Sequence, residues 1–329
     1  MPPSQTSALR AFWALVVFSF QRHSKVRQLG WVAFGLLVIL SGLVLIVGNG
    51  EMGWRLETRI RKISNPKDKE GNEPVAMTYK QYGDERLPMY EVIPGTPEGF
   101  GVKVAVASAF RAMMHDQEFL NDYAFLSFVR TVVFGYFLSF LLPLFTLAYA
   151  SGAMGAERES RTLIWLLTRP LPRWAVYLAK YLGTMPWCVG VCGLAFTAMC
   201  LCGGEFGRRA WVLYWPAVLA GSLAFGSLFH LIGALFRWPA VIGLVYVFFF
   251  ELLVGALPGS LKQLSLSFYV RSLFYNETER AIERARPENV DVFAPTDSVT
   301  AWVTLLAVSI ALTLIGMWLF GRQEPKDGS

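Results

Sequence analysis

The chain has 329 residues, 54% of them hydrophobic and 16% charged, whereas an ordinary soluble domain carries about 25% charged residues. That balance excludes a water-soluble globule, and long uncharged runs divided by short polar stretches are how a chain dissolved in lipid is written. The net charge of +6 is dispersed over loops, with no dense Lys/Arg cluster interleaved with aromatics, which speaks against a nucleic-acid partner and for a basic surface facing lipid headgroups.

In chain order, residues 11–20 (AFWALVVFSF) are apolar but too short to span. Flanked by Arg10 and by Arg22, Lys25 and Arg27, they suit a helix lying in the membrane interface within a cytoplasmic segment, residues 1–28. QRHSKVRQ follows in place of a small-residue cleavage site, so cleavage is not expected. A helix rises about 1.5 Å per residue, so a hydrocarbon core of about 30 Å needs about 20 apolar residues. Residues 29–48 meet that without a charge and form the first expected span; 125–150, 175–202, 210–235, 239–257 and 299–320 follow. The expected fold is an all-α polytopic membrane protein of six transmembrane helices. An even number puts both termini on one side. The basic residues of the tails, including 321–329, and of the loop holding Arg158, Arg161, Arg169 and Arg173 make that side the cytoplasmic face of the cell's inner (plasma) membrane.

Residues 49–124 then form an exterior domain. WRLETRIRKI (54–63) alternates with the period of a half-buried strand, 66–74 reads as a turn, and 102–120 switch to a helical period, so a small α+β domain is expected. The stretch 258–298, opening LPGSLKQLSLSFYVRSLF, is too polar to span and too apolar for a simple loop. Short helices dipping into the outer leaflet fit it, packed against protein or a wet cavity.

The most informative stretch is 155–183, GAERESRTLIWLLTRPLPRWAVYLAKYLG. A charged turn, Glu157, Arg158, Glu159 and Arg161, leads into an apolar helix that Pro170 and Pro172 break before the next span. A short stiff helix between two spans can be pushed, whereas a floppy loop would absorb the displacement. Here the chain resembles the type-2 ATP-binding-cassette (ABC) exporter permeases, including the subfamily linked to multicopper-enzyme maturation. That family places an acidic pair, Gly-Thr-Leu, a leucine-rich stretch, Pro and Arg, then a Lys on the coupling helix that docks its ATPase. The matching residues are Glu157, Glu159, Thr162, Leu163, Leu166, Leu167, Pro170, Arg173 and Lys180, with Arg161 standing where Gly is usual. The resemblance implies a coupling helix near 155–170 between spans two and three.

Ionisable residues inside spans are the next candidates, because a charge at bilayer depth costs about 2.5–3.5 kcal/mol even on the lenient insertion scale. Arg130 in span two and Glu251 in span five lie at similar depth from the outer side, so they are candidates to pair. The alternative has Arg130 snorkelling outward and Glu251 capping the semi-buried helix that follows. His230 reads as a packing hydrogen-bond donor in span four. Cys188, Cys192, Cys200 and Cys202 share one apolar segment and suit neither a disulfide framework nor, lacking His or Met partners on their face, a metal. His115, Asp116 and Glu118 on the exterior helix read as solvated side chains rather than metal ligands, so no metal site is expected.

No GxxxxGK[ST] occurs, so no P-loop can cradle ATP in this chain. The leading reading is therefore a non-enzymatic permease subunit of an ABC transporter, an exporter. Its partners would be a cytoplasmic ABC ATPase, a second or sister permease, and lipid, with no cofactor of its own and with ATP and Mg on the ATPase. Phe134, Tyr136, Phe140, Phe248 and Phe249 would line its pathway. The alternative is a non-transporting scaffold or sensor whose exterior domain binds a partner and signals to an ATPase. A membrane-embedded enzyme has too few convergent polar groups in Arg130, Glu251 and His230.

Overall fold

A computed structural model describes residues 5–22, 28–49, 79–82, 85–88, 117–153, 171–253, 255, 260–282 and 293–322. The chain divides into two compact units, one of residues 1–44 and 129–329, the other of residues 45–128.

In the second unit, strands β1 (Tyr79–Tyr82) and β2 (Glu85–Pro88) form an antiparallel hairpin pairing Tyr79 with Pro88 and Tyr82 with Glu85. Helix α3 (Gln117–Phe128) follows. The strand expected at 54–63 and most of the helix expected at 102–120 lie outside the described residues. The hairpin at 79–88 was not foreseen, although Gly83-Asp84 between the two runs is a familiar hairpin-turn pair.

The first unit holds α1 (Gln5–Arg22), α2 (Gln28–Asn49), α4 (Leu142–Ala150), α5 (Arg173–Cys202), α6 (Gly204–Leu235), α7 (Pro239–Tyr246), α8 (Leu266–Ala281) and α9 (Ser298–Arg322). Among the described residues four helical stretches are long and apolar enough to cross a membrane: Ala124–Ala150, Arg173–Cys202, Gly204–Leu235 and Ser298–Arg322. Gly30–Ile46 and Pro239–Glu251 are apolar but shorter, and they lie where the first and fifth spans were expected. Helical form follows from the solvent, since lipid offers no partner for a backbone N–H or C=O and each must be satisfied within its own segment.

Two departures from the expected spans have local causes. The fourth begins at Gly204, not at 210, so Arg208 and Arg209 ride on the helix instead of in a loop. Gly204 takes φ +59°, which lets α5 reverse directly into α6, and a side chain at Gly207 would put its Cβ 1.8 Å from the Cys200 carbonyl oxygen. Span two is π-helical over Val129–Leu141, just before Pro143, which lacks the N–H that an α-helix would offer back to residue 139. The shorter apolar stretch expected as the fifth span, hereafter span five, is also π-helical, from Val247 to Leu253. Such widened turns are rare and concentrate at functional places.

Helix α6 is the hub. It packs against α4, α5, α7, α8 and α9, and its buried positions are dominated by Ala, Gly and Ser, small residues that let helix axes approach closely, with Phe225 and Phe229 filling the space between. At one end of the unit, Leu15 of α1, Val176, Tyr177 and Ala179 of α5, Ala234 of α6 and Phe320 of α9 form an apolar cluster that Phe12, Val16, Leu171 and Met317 extend. At the other end sits α8, preceded by a 3₁₀ turn at Ser260–Leu264, within the stretch expected to carry short semi-buried helices.

Candidate functional site

Glu251 lies in the π-helical turn of span five and is 2% exposed. One carboxylate oxygen accepts from the Tyr246 hydroxyl at 2.7 Å and the Leu266 N–H at 3.1 Å. The other accepts from the Ser265 hydroxyl at 2.7 Å and the Ser267 N–H at 2.9 Å. Leu266 and Ser267 are the first residues of α8, so a negative charge from span five closes off the N-terminus of the helix that follows it, satisfying two donors that helix geometry leaves orphaned. Ser265 stands at the cap position yet its side chain makes no capping bond; it donates to the carboxylate that caps in its place.

Arg130 was the partner that depth suggested for Glu251, but the described contacts of the carboxylate go to Tyr246 and the start of α8. Matched depth fixes one coordinate only, and a carboxylate ringed by four donors needs no ion pair to be stable where it is. Arg130 itself is exposed. The charge of Arg271 of α8 does reach Glu251.

Arg271 donates through Nη2 to the Ser139 hydroxyl at 3.1 Å, and Ser139 donates to the Phe134 carbonyl at 2.8 Å, five residues back in the π-helical segment. Burial lowers the Arg271 pKa from its ordinary value, and Tyr275 followed by Glu251 oppose the shift. Phe134 stacks against Phe274 and Tyr275, with centroids 5.8 and 4.9 Å away. Thus α8 is tied to both π-helical segments, to span five through Glu251 and to span two through Arg271.

The remaining sides of α8 are also fastened. The Tyr214 hydroxyl of α6 lies 2.5 Å from that of Thr278. Arg209 donates to the Ala281 carbonyl at 2.9 Å, a cation at a helix C-terminus. Asn276 donates to the Thr296 carbonyl at 2.9 Å, the Thr296 N–H donates to Ser272 at 3.2 Å, and Lys262 donates to the Phe293 carbonyl. Spans two, four and five and the segment that leads into α9 therefore each have a polar hold on α8 or the turn before it.

The other expected site residues fall elsewhere. Glu157, Arg158, Glu159, Arg161, Thr162, Leu163, Leu166 and Leu167 lie outside the described residues. Arg173 opens α5 and is half-buried. His230 is fully buried, its ring meeting the edges of Tyr177 at 4.8 Å and Tyr181 at 5.6 Å. It sits at the end of the unit away from α8 and has no part in the Glu251 network. The four cysteines are free thiols, and the Cys192 sulfur lies 3.9 Å from the Leu142 carbonyl oxygen. Of the aromatics expected to line a pathway, Phe134 is engaged with α8, while Phe140, Phe248 and Phe249 are exposed at 42, 48 and 57%.

Sequence reasoning missed Arg271, Tyr246 and Ser139. The cap itself was the alternative reading of Glu251, and it is the one the carboxylate's contacts with Leu266 and Ser267 bear out. For Arg271 and Ser139, 132 residues apart, no signal was present.

No curated protein matches the chain. The family model described as ABC-2 family transporter protein matches residues 9–324, nearly the whole length. A multi-helix membrane unit and a match of that extent place the chain in the ABC-2 transporter family, whose members are membrane components of ABC transporters and not their ATPases.

Proposed function

We propose that this chain is the permease subunit of an ABC exporter in the plasma membrane, working as a dimer with itself or a sister permease and docking a separate cytoplasmic ATPase through residues 155–170. The family match over residues 9–324 carries this reading. The charged turn Glu157, Arg158, Glu159 and Arg161, followed by Thr162, Leu163, Leu166 and Leu167, supports the docking role, because it resembles the coupling helix of such permeases.

The path of the push follows from packing. Arg173 begins α5 directly after this segment, and Leu171 joins the apolar cluster of Leu15, Tyr177, Ala234 and Phe320. A displacement delivered there enters α5 at its first turn and is shared with α1, α6 and α9 without a flexible joint. On the six-span reading, α2 and the apolar helix from Pro239 to Glu251 complete the set, with both termini cytoplasmic and α8 outside. Exposed apolar side chains on α2 (Trp31, Val38, Ile39, Ile46) and on span five (Phe248, Phe249, Phe250) suit lipid or a second permease.

The test is co-purification in mild detergent with mass spectrometry of the bound partners, for the native chain and for Glu157→Arg, Glu159→Arg together. A P-loop ATPase recovered with the native chain and lost from the double variant supports coupling. Absence of any ATPase, even after cross-linking, rejects it and favours a scaffold or sensor acting through the segment between spans one and two.

A further inference from the structure

We propose that the α1 end of the transmembrane unit is a docking surface for an anionic membrane leaflet, its tryptophans seated among lipid headgroups and Arg10, Arg237 and Arg322 bound to their phosphates. Four helices far apart in sequence meet at this end. Phe12 and Leu15 of α1, Val176 and Tyr177 of α5, Ala234 of α6 and Phe320 of α9 share one apolar cluster. A tryptophan stands by each helix: Trp13 next to Phe12, Trp174 two residues before Val176, Trp238 four after Ala234 and Trp318 two before Phe320. All four look outward, between 48 and 66% exposed. An apolar ring with one N–H donor suits the boundary between acyl chains and water, where membrane proteins concentrate tryptophan. Three of the four have an exposed arginine close by. Arg10 lies three residues before Trp13 on α1, and Arg237 adjoins Trp238. Arg322 lies four after Trp318, its guanidinium 4.1 Å from the ring centroid. A guanidinium stacked on a ring keeps its edge donors for an oxyanion, and its fork matches a phosphate.

The charge of the folded unit is divided in the same sense. Among its described residues the carboxylates are Glu205, Glu251, Glu277, Glu279 and Asp297, and all belong to α8 or to the parts of the chain beside it. Arg10, Arg173, Arg237 and Arg322 gather at the α1 end with no described carboxylate among them. A basic end ringed with tryptophan is complementary to an anionic leaflet, not to a zwitterionic one. The path of α1 fits the same partner. Leu15 shares its cluster with Val176 and Tyr177, a Cβ on Gly183 would stand 2.7 Å from that of Ser19, and the Phe20 ring meets Trp187 at 5.2 Å. Helix α1 therefore follows α5 in the same direction, for about 16 Å from Val176 to Trp187. A second face of α1, beside the one on α5, carries exposed Leu9, Trp13, Val17 and Phe20, spaced by four, four and three residues. With Arg10 and Trp13 at the headgroups, that slant carries Val17 and Phe20 down among acyl chains, so the helix enters the leaflet where a flat one would rest on it. A protein partner could pair with the arginines but would leave this apolar stripe uncovered. No residue of 155–170 takes part, so the surface stands apart from ATPase docking.

The full chain is placed in phosphatidylcholine nanodiscs, with and without phosphatidylglycerol, and its apparent Tm is measured. The native chain should gain several degrees from phosphatidylglycerol. Arg10→Gln, Arg237→Gln and Arg322→Gln together should remove most of that gain. A control takes two exposed cations from the other end, Arg208→Gln with Arg280→Gln, and must keep it. All five side chains are exposed, so the variants should fold as the native chain does. No gain in the native chain, a gain kept by the triple variant, or an equal loss in the control overturns the surface. A triple variant that keeps the lipid gain but no longer co-purifies with an ATPase would show that the arginines face a protein, and that too overturns it.

Discussion

The two ends of the transmembrane unit are held together by different physics. Around α8 the contacts are polar and long-range in sequence: Glu251 to the start of the helix, Arg271 to Ser139, Tyr214 to Thr278, Arg209 to Ala281 and Asn276 to Thr296. Around α1 they are apolar and steric, with Leu15, Val176, Tyr177, Ala234 and Phe320 in one cluster and glycines admitting close approach. Hydrogen bonds in a low-dielectric setting fix direction and separation, so helices bound by them move as one piece. Packing of small residues fixes separation but tolerates sliding along the contact. A permease that receives a push at the α1 end and holds a shape at the α8 end would divide its contacts in this way.

If that contrast is right, single substitutions at the two ends should fail for different reasons. The largest effect is expected from Glu251→Ala. It leaves the Tyr246 and Ser265 hydroxyls and the Leu266 and Ser267 N–H groups without their acceptor, at a cost of about 3 kcal/mol or more. The apparent Tm in detergent should drop by many degrees. A drop no larger than that of an ordinary surface substitution would mean that the cap does not hold α8.

A steric test belongs at the α1 end. At Gly316 of α9 an added Cβ would stand 2.1 Å from the Tyr177 hydroxyl oxygen, so Gly316→Ala should cost about 1–3 kcal/mol by overpacking. Among the described residues the buried Tyr177 hydroxyl has no hydrogen-bond partner. Tyr177→Phe should therefore be neutral or stabilising by itself, whereas the cost of Gly316→Ala should shrink only in a Tyr177→Ala background, because the ring carbon Cζ as well as the hydroxyl would stand 2.2 Å or less from the added Cβ. Additive losses in a double-mutant cycle would show that the clash is absorbed elsewhere.

The smallest effect concerns a polar bond that ties α1 to α5. The Trp187 indole N–H donates to the Phe20 carbonyl at 2.8 Å, while Phe20 and Trp187 also pack ring to ring at 5.2 Å. Trp187→Phe keeps a ring and loses the bond, so a loss of about 0.5–1 kcal/mol is expected in thermal unfolding. A loss as large as that of Glu251→Ala would erase the distinction between the two ends.

How far the sequence reached can be judged from particular residues. That Glu251 is costly in a membrane, and so must be held by something, was legible, because the price of a charge in lipid depends on depth along one segment. Which group holds it was not. Arg130 and the start of α8 both lie at suitable depth, and only the rotation of span five, reset by its π-helical turn, selects α8. The same limit hid Arg271, which reads in sequence as one more exterior basic residue. The early start of α6 was half-visible in Gly203-Gly204, since paired glycines mark a reversal, but the positive φ that makes the reversal immediate is a property of the folded backbone.

The sequence by itself determined that the chain lives in a membrane, roughly where its spans fall, and the family to which it belongs. The first two are written locally, in the length and composition of each apolar run, because lipid tests every segment separately for polar groups it cannot satisfy; the family is carried by the resemblance of residues 155–183 and the match over residues 9–324. Tertiary structure alone decided that spans two and five widen into π-helical turns, which of the two readings of Glu251 holds, and that Arg271 reaches Ser139 across 132 residues. Hydrogen bonds between distant segments depend on helix rotation and separation, and these are set by how all the helices pack together.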